Sequence, residues 1–156
     1  MTQAQDVGQA DNQLDDFVAD NDTGGRQPRD AFGKTALWYI PLVWSLYQLW
    51  IASPLPFMLG IGVWNDTQTR AIHLGFAVLL AFIAFPGLKS SPRYYIPMIT
   101  WGVAAIGALT ASYLFYAYNG VAARSGSPSQ IDVIVAVIGI VLLLEAARRS
   151  LGFPLM

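Results

Sequence analysis

Four apolar stretches, each near the length a bilayer demands, constrain this chain more than any other feature. They run from Leu37 to Val63, Ala71 to Leu88, Tyr95 to Tyr118 and Ile131 to about Leu151. A hydrocarbon core about 30 Å thick takes roughly 20 apolar residues in a helix, so each stretch predicts one crossing. Inside lipid the backbone must satisfy its own hydrogen bonds, which a helix does within a single segment. The expected fold class is therefore all-α: an integral membrane four-helix unit over residues 37–156, behind a disordered amino-terminal tail. The second stretch is the shortest and is expected to lie nearly straight or to draw in its interfacial ends. Pro54-Leu55-Pro56 is expected to kink or end the first helix, leaving Phe57–Trp64 as a separate turn or a shallow interfacial stretch. Trp38, Tyr39, Trp64, Tyr94, Tyr95, Tyr116 and Tyr118 fall near segment ends, as an aromatic belt does.

The charges agree with this division. Only 12% of residues are charged, against roughly 25% in a soluble domain. Seven of the ten acids precede residue 31, and Arg124 is the only charge between Arg93 and Asp132. Residues 1–36 are rich in Asp, Gln, Asn and Gly and bury too little apolar surface to offset their chain entropy. They predict an acidic disordered tail, and the acidic start without an apolar core is unlike a secretory signal peptide. No basic patch interleaved with aromatics points to nucleic acid. With no cysteine, disulfides and thiolate chemistry are excluded.

Lys and Arg beside the spans set the expected orientation. Arg26, Arg29, Lys34, Lys89, Arg93, Arg148 and Arg149 fall on one side, and Arg70 and Arg124 on the other. Both termini are expected to be cytoplasmic, with Asn65–Arg70 and Asn119–Gln130 as outward loops.

Little in the chain suggests reaction chemistry, and no catalytic residue, cofactor or metal ligand is assigned. The single histidine, His73, cannot build a bis-histidine haem site or a zinc site without other ligands. It reads as an interfacial group bonded to nearby backbone or to the Arg70 region, with a catalytic or proton-relay role as the alternative. Gln48 is expected to bond a neighbouring helix. Asp132 sits where an acid caps the amino end of the fourth helix. Glu145 lies roughly 20 Å along that helix at about 1.5 Å per residue, toward its end, where Arg148 and Arg149 have the spacing to pair with it. Two readings stay open for Glu145: an intrahelical anchor, or a contact to a partner helix or subunit. Ala104, Ala108 and Ser112, beside Gly107 and Ala111, let helices approach closely. They serve either packing within the unit or a subunit interface.

Two motifs carry a family resemblance. Arg70-Ala-Ile-His-Leu-Gly-Phe-Ala-Val-Leu-Leu-Ala-Phe-Ile-Ala-Phe-Pro86 resembles the second membrane segment in the amino-terminal part of TRAP transporter fused permeases, the class paired with TAXI-type binding proteins. Ser125-Gly-Ser-Pro-Ser-Gln-Ile-Asp132, followed by Leu142-Leu-Leu-Glu-Ala-Ala-Arg-Arg-Ser-Leu-Gly-Phe-Pro154, resembles the fourth segment of that part. The resemblance implies a DctQ-like four-helix scaffold partnered by a larger DctM-like membrane subunit, with a periplasmic TAXI-type protein delivering organic acids for sodium-driven uptake. It implies a multi-pass protein of the bacterial inner membrane. The positions it marks are Arg70, His73, Asp132, Glu145, Arg148 and Arg149, as interface or anchor groups and none as catalysts. A separately encoded small subunit and the amino-terminal part of a fused permease both fit it. A membrane interaction or assembly protein without a transport role is the alternative from another class.

Overall fold

A computed structural model describes residues 25–87, 91 and 94–151. Among these residues the chain is helical and contains no strand. Its elements are α1 (Ala31–Ala52), α2 (Leu55–Leu59), α3 (Asp66–Ala84), α4 (Met98–Ala111), α5 (Tyr113–Ala123) and α6 (Gln130–Leu151). Three elements are long and apolar enough to cross a membrane: α3, the α4–α5 pair taken together over 26 residues, and α6. α1 is as long as α6, at 22 residues. It carries the first expected crossing but is not among the three helices long and apolar enough to cross, so three of the four expected crossings are matched.

The expected tail overlaps the described residues only over 25–36; residues 1–24 lie outside them. Where it overlaps, the chain is placed. The Arg26 amide donates to the Ala84 carbonyl at 2.7 Å and the Arg29 amide to the Tyr94 carbonyl at 2.7 Å. α1 starts at Ala31, six residues before Leu37, because Asp30 caps it by accepting from the Gly33 amide at 2.6 Å. Pro41 is accommodated inside α1. The helix ends before Pro54, and α2 follows as a single separate turn closed by left-handed Gly60 at φ 66°.

α3 starts earlier than the expected Ala71, at a capping box. The Asn65 side chain accepts from the Gln68 amide at 2.8 Å, and the Gln68 side chain accepts from the Asn65 amide at 3.3 Å. The motif satisfies two amides that a helix start would leave unpaired. The break between α4 and α5 also has a local cause. The Thr110 hydroxyl reaches back to the Ile106 and Gly107 carbonyls, both at 3.0 Å, a bond that competes with the helical ladder and bends it.

α3 is the central element and packs against α1, α4, α5 and α6, while α4 also packs against α6. Ala104 and Gly107 of α4 face inward. A side chain at Gly107 would meet Val78 Cγ1 at 2.9 Å, and one at Gly75 would meet the Ala108 carbonyl at 3.2 Å. The stripe thus serves packing inside the unit. The core is Val78, Phe82, Ile83, Ala104 and Ala146, with Leu142, Trp101, Leu37 and Ile40 around it. It lies at the end of the bundle where α3 and α6 finish and α4 begins.

Candidate functional site

That well-packed end carries the densest cluster of charge. On α6, Arg148 lies three residues and Arg149 four residues beyond Glu145, one helical turn away, so both guanidinium groups fold back onto one carboxylate. Arg148 Nε donates to Glu145 Oε2 at 2.6 Å and its Nη2 to Oε1 at 2.7 Å, a two-point clamp. Arg149 Nε donates to Oε1 at 2.8 Å. Both cations lie in the last turn of α6, where the helix dipole favours positive charge.

The triad does more than close on itself. Arg148 Nη2 also donates to the Gly87 carbonyl beyond α3 at 2.7 Å. The Arg149 guanidinium lies 4.5 Å from the centre of the Phe82 ring, and Phe82 is fully buried. A cation so placed over an aromatic face contributes roughly 0.5–2 kcal/mol. Glu145 therefore orients two arginines, and those arginines bind the end of α6 to the end of α3.

A third arginine completes the cluster. Arg26 is 6% exposed. Its Nη1 and Nη2 reach the Ile83 carbonyl and the Ser91 hydroxyl only at 3.5 Å, and among the described residues its buried Nε has no partner. Burial first, and then the neighbouring Arg149 charge, pushes the Arg26 guanidinium below its ordinary pKa. The carbonyls at the end of α3 supply partial negative charge there. Arg29 lies 4.2 Å over the Tyr94 ring at the same end. The structure thus gathers Arg26, Arg29, Arg148 and Arg149 at one end of the bundle; Lys89 and Arg93 lie outside the described residues.

Asp132 occupies the opposite end. It accepts from the Ser129 amide at 2.8 Å, while its own amide donates to the Ser129 hydroxyl at 3.2 Å, so the pair caps α6 reciprocally. The same carboxylate accepts from the Tyr113 hydroxyl at 2.5 Å and from Arg124 at 3.1 Å, tying α6 to α5 and to the loop after it. Gln68 Nε2 donates to the Phe115 carbonyl at 3.2 Å and links α3 to α5 nearby.

Arg70 and His73 are not brought into either cluster. Arg70 pairs with Asp66 at 3.0 Å in the open, the two side chains 79% and 76% exposed, where such a pair adds little stability. His73 turns away from Arg70 toward α1. Gln48 Nε2 lies against its Nδ1, Trp44 Nε1 points at the same atom from 3.4 Å, and the Trp44 ring packs edge-on against it. Among the described residues no group of three or more His, Asp or Glu side chains is placed to hold a metal ion.

The spacing of Glu145, Arg148 and Arg149 made their pairing readable, and Asp132 was readable as a cap. Arg26 was counted with the tail, and its partners lie 57 and 65 positions away. The Asn65–Gln68 cap carries a sequence signal in its three-residue spacing. Tyr113 offered no local signal. No protein-family model, curated protein or solved structure matches this chain.

Proposed function

We propose that this chain is a non-catalytic scaffold of the bacterial inner membrane: the small, DctQ-like component of a TRAP transporter for sodium-driven organic acid uptake. In this reading α1 is a fourth crossing and both termini are cytoplasmic. A larger DctM-like membrane subunit carries the substrate, supplied by a periplasmic TAXI-type binding protein. One observation carries the proposal. The two stretches that bear the resemblance, 70–86 and 142–154, meet in space through Arg149 on Phe82, and Arg148 extends that contact to the neighbouring Gly87. A scaffold needs such a brace between helix ends. A transport path needs polar groups left available for cargo, whereas among the described residues Asp30, Asp66, Asp132 and Glu145 each hold a structural partner.

Deleting the coding sequence and measuring binding-protein-dependent organic acid uptake tests the reading. Uptake is expected to fall to background and to return when the chain is resupplied. Unchanged uptake would sink the transporter assignment and favour a membrane assembly protein without a transport role.

A further inference from the structure

The bend between α4 and α5 opens a wedge in the bundle. α4 packs against α6, whereas α5 packs against α3 and diverges from α6. The space left beside α6 is an apolar groove of about 580 Å³, lined by Leu74, Ala111, Leu114, Val133, Val137 and Ile140. The last three recur at helical spacing on one face of α6, each about half exposed. The α6 wall runs from Asp132 to Leu143, about 16 Å at 1.5 Å per residue, so the groove averages roughly 7 Å across. A helix with its side chains is about 10–12 Å wide and does not enter it; an extended methylene chain does. Left empty, the walls would forfeit their dispersion contacts, and water would find too few polar partners along them.

One end of the groove is polar. Leu114, Val121, Pro128 and Asp132 also line a second cavity of about 510 Å³, where Thr67, Tyr118, Arg124 and Ser125 add polar groups. Connectivity fixes the depth of this end. Met98–Ala123 and Gln130–Leu151 are each long and apolar enough to cross, so the short turn 124–129 between two crossings lies at the membrane surface, level with lipid phosphates.

Arg124 supplies the complementary charge. Its side chain is 49% exposed and donates from Nη2 to Asp132 at 3.1 Å. Among the described residues its other N–H groups have no partner, and a guanidinium fork matches a phosphate oxygen pair. Asp132 does not oppose this strongly, because its side chain is 9% exposed and already accepts from Tyr113, Ser129 and Arg124. An apolar channel one chain wide, ending at a half-free arginine at the surface, fits an amphiphile lying along the membrane normal. We infer that the wedge between α5 and α6 is a phospholipid site, with one acyl chain in the groove and the phosphodiester on Arg124. The inference needs only that these helices cross a membrane and does not rest on the transporter reading.

Native mass spectrometry of the full chain, delipidated in detergent and titrated with phosphatidylethanolamine, tests it. One lipid should bind saturably. Diacylglycerol with the same acyl chains lacks the phosphate and should bind about tenfold more weakly. Arg124→Gln should weaken phosphatidylethanolamine binding by a similar factor and leave diacylglycerol binding unchanged. Ala136→Phe, which fills the groove from α6, should abolish both. Val141→Phe, exposed on α6 outside the groove, should abolish neither and so separates this site from lipid held elsewhere. Thermal melting identifies any variant that fails to fold, and if Ala136→Phe does so, the Arg124→Gln titration decides. Absence of saturable binding would overturn the inference. So would binding indifferent to either well-folded variant, or a second protein occupying the groove in place of lipid; that last result leaves the transporter reading standing.

Discussion

Glu145 is one carboxylate among three arginines, and its removal should be felt beyond its own three hydrogen bonds. Without it, Arg148 and Arg149 lose the carboxylate they share, and Arg26 faces an Arg149 charge that Glu145 no longer offsets. Glu145→Gln is expected to lower stability by roughly 1–3 kcal/mol, the cost of weakening the charge-assisted hydrogen bonds that two partly buried guanidinium groups make to it. Arg149→Met in the same background should recover part of that loss, because it removes one of the cations left behind. Thermal melts of the two single variants and the double variant in detergent supply the cycle; additive losses would contradict the triad. At this scale the sequence was legible where partners share a helix. The Glu145 pairing follows from one turn of α6, whereas Arg26 acquires its surroundings only when the chain folds back over the end of α3.

Helix boundaries followed a similar rule. α6 ran close to its expected span because Asp132 and Ser129 mark its start within a few residues. α3 began before expectation, since an Asn65–Gln68 capping box looks like loop sequence unless its three-residue spacing is weighed. The α4–α5 break depends on what one hydroxyl does. Thr110 is equally at home in a straight helix, and only its bonds to Ile106 and Gly107 show otherwise. The faces of α4 are settled by its glycines. Gly107→Val should disrupt the seam with α3, because even its Cβ would lie 2.9 Å from Val78. Gly102→Ala meets nothing within 4 Å and should be neutral or slightly stabilising, given alanine's higher helix propensity. Detergent melts showing equal effects of the two substitutions would contradict this packing.

Across the whole molecule the two ends differ. The end that gathers Arg26, Arg29, Arg148 and Arg149 also holds the buried core around Phe82 and Ile83. Near the other end, an open apolar groove of about 580 Å³ runs between α4–α5 and α6 and is lined by Thr110, Leu114, Val133 and Ile140. Positive charge concentrated at one end predicts that this end faces the cytoplasm. In intact cells, a membrane-impermeant thiol reagent should label Ser127→Cys but reach Ser91→Cys only after permeabilisation; the reverse pattern would invert the topology. The scaffold role itself is tested most directly by native mass spectrometry of the tagged chain, released from its own membranes in mild detergent. The account predicts a defined complex with a larger, many-helix membrane protein. Recovery of this chain with no such partner, under conditions that keep other inner-membrane complexes intact, would contradict it.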